Sequence, residues 1–125
     1  MNDVKDKNIK LPVSAPFHCS LMSKATNIMS VELNKLNFNQ VENKLISNVT
    51  AKEIANTNEL NDLLIKQIEN RVRWRESVIN MINNEVNHFI EIGPGKVLSG
   101  LVKRISREVK IDTINNQEDI ESLKI

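Results

Sequence analysis

Asn87-His88-Phe89-Ile90-Glu91-Ile92-Gly93-Pro94-Gly95-Lys96-Val97-Leu98-Ser99-Gly100-Leu101 is the stretch on which the fold turns. Its first six residues read as a strand, with apolar and polar residues alternating from Ile90 to Ile92. Gly93-Pro94-Gly95 reads as a tight turn. From Lys96 to about Arg107 the apolar residues Val97, Leu98, Leu101, Val102 and Ile105 recur at helical spacing. Val109–Ile114 then reads as a last strand and Glu118–Leu123 as a short terminal helix.

The chain upstream continues the alternation. Ile9–Val13 reads as a short strand, with Pro12 near an edge or a strand end. Ser14–His18 is a turn or loop. Leu21, Met22, Ala25, Ile28, Met29, Leu33 and Leu36 predict an amphipathic helix from Cys19 to about Leu36. A polar connection over 37–43 leads to an expected strand, Lys44–Val49. Asn58 is the expected cap of a helix carrying Leu60, Leu63, Leu64 and Ile68. A further helix starts near Val72 and carries Trp74, Val78, Ile79, Met81 and Ile82. The order β-α-β-α-α-β-α-β-α places the chain in the α/β class, with a parallel or mixed sheet covered by helices. Ligand sites in such sheets lie beyond the carboxyl ends of strands. Two loops qualify, Ser14–Cys19 and Gly93–Lys96.

Composition narrows the function. The 125 residues carry 17 Lys+Arg against 16 Asp+Glu, a net charge of +1. That balance gives no general attraction to nucleic acid or anionic lipid. Aromatics are 3% of the chain, thin for a base-stacking platform. A single cysteine, Cys19, rules out a disulfide framework and a thiolate zinc site within the chain. The first ten residues lack a signal-peptide core, and no run approaches the roughly 20 apolar residues of a membrane span. A cytoplasmic location is therefore expected. The three glycines, Gly93, Gly95 and Gly100, fall within one short segment, so backbone freedom is needed in one place.

Two constellations carry possible chemistry. His18, just after a strand end, suits general-base work because an imidazole can exchange a proton near neutral pH. The alternative is a loop histidine bonded to backbone. Cys19 is adjacent to it, and adjacent side chains point apart, so Cys19 reads as a small apolar contact rather than a nucleophile. Gly93-Pro94-Gly95-Lys96 lies between strand and helix, as phosphate-cradling loops do. It lacks the P-loop spacing, and Val97 follows Lys96 where Ser or Thr would be needed. A tight turn is the favoured reading. His88 reads as structural or exposed. Arg71, Arg73 and Arg75, and the group Lys103, Arg104, Arg107 and Lys110, read as solvated helix faces that can also offer cations to an acidic partner.

Four segments in order resemble the malonyl-CoA:acyl carrier protein transacylase family. Leu11-Pro12-Val13-Ser14-Ala15-Pro16-Phe17-His18-Cys19-Ser20-Leu21-Met22 is similar to its active-site histidine segment. Ile46–Ala51 resembles the strand and loop that follow. Gln67-Ile68, Val72-Arg73-Trp74 and Ser77-Val78 resemble the next stretch, although Arg71 stands where the family usually has proline. Phe89–Leu101 resembles its glycine-turn element. The match runs from about Lys10 to Arg107, and residues 1–125 as a whole resemble a C-terminal portion of the transferase domain.

The resemblance implies the C-terminal part of an α/β-hydrolase-like acyltransferase core, with the ferredoxin-like subdomain mostly missing. It implies malonyl transfer from malonyl-CoA to acyl carrier protein, in fatty acid biosynthesis, by way of an acyl-serine. It gives His18 the role of catalytic base. It gives Gln67 the role of orienting the imidazole through its main-chain carbonyl, and Asn48 a supporting role. Malonyl-CoA enters as substrate, and no cofactor or metal is implied. The family's G-x-S-x-G elbow, its oxyanion segment and its carboxylate-binding arginine have no counterpart here. The chain is thus expected to hold the histidine half of a split or truncated site, inactive alone and completed by a separate chain with the nucleophile. The other reading is a non-catalytic module that binds acyl carrier protein through basic helices, or the remnant of an interrupted gene.

Overall fold

A computed structural model describes residues 14–40 and 42–123 of the chain. A single 3-10 turn, Ser20–Met22, leads into α1, Ser23–Leu33. Then come α2, Thr57–Lys66, and α3, Trp74–Asn83. β1, His88–Ile92, α4, Val97–Ile105, and β2, Lys110–Ile114, form a strand–helix–strand unit, followed by α5, Gln117–Ser122. The strands pair in parallel, in register from His88 opposite Lys110 to Ile92 opposite Ile114. Of the parallel or mixed sheet expected from the element order, the described residues show one parallel pair, with α4 as the crossover.

Two expected elements differ. The strand Lys44–Val49 shrinks to one antiparallel bridge between Ile46 and Glu53. The chain reverses at Ser47, whose hydroxyl accepts from Val49 N at 3.1 Å and Thr50 N at 3.4 Å. Ala51, with a left-handed φ of 58°, completes the reversal. A serine that bonds its own neighbours in this way competes with strand pairing. The second difference is the cap of α2, which is Asn56 and not Asn58. Asn56 Oδ1 accepts from Glu59 N at 3.0 Å, and Glu59 Oε2 accepts from Ala55 N at 2.8 Å. The same device starts α5, where Asn116 accepts from Asp119 N and Asp119 accepts from Asn115 N. An acidic residue three positions after the cap fixes the true start. The expected strand Ile9–Val13 lies outside the described residues.

Helix α4 packs on both strands and on α3; α1 packs on α2, and α5 on β2. Val78 and Val102 are buried in the contact region of α3 and α4, and Leu60, Leu63 and Ala51 are buried as well. Asn80 Nδ2 donates to Ala51 O at 2.9 Å and pins the Ser47 reversal to α3. Among the described residues, no helix is long and apolar enough to cross a membrane.

Candidate active site

The loop before α1 is drawn tight. Phe17 N donates to Ala15 O at 2.9 Å, and Cys19 Sγ donates to Pro16 O at 3.1 Å. His18 sits at the apex with φ 61°, a left-handed conformation uncommon outside glycine. Cys19 is spent on this turn and forms no pair with His18.

The imidazole reaches across to the end of α2. His18 Nδ1 lies 2.7 Å from the main-chain oxygen of Gln67. A carbonyl only accepts, so Nδ1 carries the proton. In the neutral ring the lone pair is then on Nε2, and His18 is exposed. Gln67 is the C-cap of α2, where a helix leaves its last carbonyls without intrahelical partners. The histidine thus satisfies an acceptor that the helix end leaves free. Being neutral, that acceptor orients the ring without adding a full charge.

Asn48 holds the other side of Gln67. Its Nδ2 donates to Gln67 Oε1 at 3.2 Å, while its own carbonyl accepts from Arg73 N at 2.9 Å. The Ser47 reversal, the end of α2 and the start of α3 therefore meet at Asn48. A hollow of about 120 Å³ beside Gln67 is lined by Ser47, Asn48, Leu63 and Leu64 among others. His18, Gln67 and Asn48 are brought together from three separate segments.

The second loop is a turn, and it is closed to anions. Gly93, with φ 133°, and Gly95, with φ 99°, adopt backbone that a side chain would strain. Gly93 N donates to Ile114 O at 3.0 Å, and Gly95 N to Asn115 Oδ1 at 2.7 Å. The N–H groups at the head of α4 are already taken. Glu91 Oε1 accepts from Leu98 N at 3.0 Å and Oε2 from Ser99 N at 2.7 Å. The Ser99 hydroxyl and N–H beside it, with the N–H groups of Leu98 and Val97, hold the Glu91 carboxyl below its ordinary range. A phosphate would meet this carboxylate head-on. The sequence carried one signal for this role: Lys96, the N-cap, has no side-chain acceptor to offer α4.

His88, Arg71 and Arg73 are held in pairs within the chain. His88 Nε2 bonds Asp112 Oδ2 at 2.7 Å across the parallel pair, and Lys110 Nζ lies 3.3 Å from the same oxygen. The His88 hydrogen bond, with Lys110 beside it, keeps the Asp112 carboxyl low. Arg71 and Arg73 both converge on Glu76 Oε1, at 3.1 and 3.4 Å. Their charge is met within the chain.

No protein-family model matches the chain. The malonyl CoA-acyl carrier protein transacylase of Escherichia coli is 41% identical over 107 residues, which is 86% of this chain and 35% of that protein. The solved acyl-carrier-protein S-malonyltransferase of Bartonella henselae is 42% identical with a TM-score of 0.84, over 90% of this chain and 36% of that one. A malonyl-transacylase solved in complex with its type II polyketide acyl carrier protein is 33% identical with a TM-score of 0.83, again over 90% and 36%. The chain spans little more than a third of the length of these relatives. By sequence and by fold the chain is similar to a C-terminal portion of the malonyl CoA-acyl carrier protein transacylases.

Proposed function

We propose that this chain supplies the histidine half of a malonyl-transfer site, moving malonyl from malonyl-CoA to acyl carrier protein in the cytoplasm. The carrying observation is the 2.7 Å contact from His18 Nδ1 to the Gln67 carbonyl, which leaves Nε2 as the base. In this reading the chain is the C-terminal part of an α/β-hydrolase-like core, and a separate chain supplies the nucleophilic serine. Nε2 takes the serine proton as oxygen attacks the thioester carbonyl. The C–S bond breaks, and Nε2 returns that proton to the departing CoA thiolate. In the second half the carrier thiol gives its proton to Nε2 and attacks the acyl-serine. The C–O bond breaks, and the serine recovers its proton. Asn48 acts as a positioning residue through Gln67.

The test is transfer by the complex of this chain with the portion of the Escherichia coli transacylase that it does not match. Malonyl should reach acyl carrier protein from malonyl-CoA, and neither part alone should support it. A verified complex with no transfer would refute this function.

A further inference from the structure

We infer that Asn80, on α3, is a positioning residue for the histidine site. By holding the Ala51 carbonyl it sets the angle at which the Ser47 reversal presents Asn48 to Gln67, and through Gln67 it steadies the His18 ring. This rests on the function proposed above and deepens it, by naming a residue outside the three that meet at the site on which the base depends.

The reversal has its own internal bonds. Ser47 N donates to Lys52 O and Ala51 N to Ser47 O, both at 2.9 Å. These fix the shape of the loop over 47–52 and leave open how it is turned against α2. Its setting comes from α3, which grips two carbonyls of the loop. Arg73 N, at the head of the helix, donates to Asn48 O at 2.9 Å. Asn80 Nδ2 donates to Ala51 O at 2.9 Å. Arg73 and Asn80 are seven residues apart, close to two full turns, so both face the same side. A loop held at one bond pivots about it, and the second bond removes that freedom. Arg73 offers a main-chain N–H, which any residue but proline would offer. Asn80 offers a side chain, so its grip is the one that depends on residue type.

Ala51 needs such a grip. It is 6% exposed and its φ is 58°. A left-handed backbone outside glycine persists where the surroundings hold it. The Asn80 amide is also fixed in direction. Its Oδ1 accepts from Asn84 Nδ2 at 3.0 Å, and Asn84 Nδ2 lies 2.8 Å from Asn80 O as well. The Nδ2 group is therefore the end turned to Ala51, whose carbonyl can only accept. Asn84 orients Asn80, and Asn80 holds Ala51. The reversal then brings Asn48 Nδ2 to 3.2 Å from Gln67 Oε1, and Gln67 O meets His18 Nδ1 at 2.7 Å.

The experiment reads the two ring nitrogens of His18 by 15N NMR in this chain, with the imidazole neutral. In a ring fixed as one tautomer their shifts lie far apart. Asn80→Leu removes the donor, keeps much of the volume and suits a helix. It should narrow the gap, because a ring released from Gln67 O samples both tautomers. Asn80→Gln, which keeps the donor on a longer side chain, should restore most of the gap. Asn84→Ala changes an exposed residue and should narrow it less. Added to Asn48→Ala, Asn80→Leu should narrow it no further, because both act through one contact. In a complex that transfers malonyl, Asn80→Leu should lower kcat by about tenfold or less with KM unchanged. An unchanged gap in folded Asn80→Leu would overturn the inference, even with a lower Tm, since Asn80 would then only stabilise the fold. Should Asn80→Leu fail to fold, an unchanged gap in Asn84→Ala decides the same way. Equal narrowing in Asn80→Gln, or narrowing that adds to that of Asn48→Ala, would overturn it too. A gap that narrows as expected, with no transfer by the unaltered complex, would uphold the positioning and refute the function alone.

Discussion

At the scale of single residues, His18 combines two demands that no other described residue meets together. Its backbone is left-handed, and its ring is fixed through Nδ1 to a carbonyl. The first demand selects the replacement that tests the second. Asn tolerates a left-handed backbone far better than most residues. His18→Asn should therefore preserve the loop while lowering transfer by the complex roughly a hundredfold or more, the usual scale of a lost general base. Full turnover would show that another group moves the proton. The tautomer is open to direct measurement: imidazole 15N shifts at neutral pH should show the neutral ring protonated at Nδ1, and an Nε2-protonated ring would refute the geometry. Asn48→Ala leaves the Gln67 carbonyl in place and removes only the grip on its side chain. Its effect should be smaller, about tenfold or less in kcat, with KM unchanged. The pairing of His18 with Gln67 spans 49 residues, and no periodicity announces a contact of that kind. Resemblance to a family put the two together; residue chemistry alone favoured a backbone-bonded loop histidine over a base.

At the scale of elements, the strand–turn–helix around Gly93 was legible because each piece carries its own signal: alternation, positive-φ glycines, then helical spacing. The segment 44–49 was not, since its apolar pattern is that of a strand and the deciding event is the local bonding of one hydroxyl, Ser47. The start of α2 was misplaced by two residues because Asn56 and Asn58 are equally good caps until Glu59 is paired with the first. Glu91 is the least legible and the most testable. Its carboxylate caps α4 from the strand before it, and its folded pKa lies below the ordinary 4.5. The stabilisation is complete above that ordinary value and is lost as pH falls through the lower folded one. Glu91→Gln should lower Tm at neutral pH and flatten the acid limb below about pH 5. An acid limb identical to that of the unaltered chain would remove Glu91 from this role. In the adjoining core, Val78 is 0% exposed. Val78→Ala should cost about 2 kcal/mol from lost burial and the cavity left behind, read by denaturant unfolding.

At the scale of the whole molecule, the sheet and the core point the same way. Five buried hydrophobic side chains, none aromatic, make up the core of the described residues. Among the described residues the two strands have one strand neighbour each, so each has an edge that no other described strand covers. Opening such a sheet costs little, because few buried contacts must be given up. Hydrogen exchange converts this into a measurement. In the isolated chain, the amides of β1 and β2 that point away from the shared ladder should exchange at nearly the rate of a free peptide. Those within the ladder should be only modestly protected. When the complementary transacylase portion binds, both sets should slow together, since a partner present at a hundred times its Kd adds about 2.7 kcal/mol to the folded state. A gain confined to α1, with the strand edges still exchanging freely, would show that the partner covers helices without extending the sheet. Strong protection of β1 and β2 in the isolated chain would show that this third of a transacylase stands as a domain of its own.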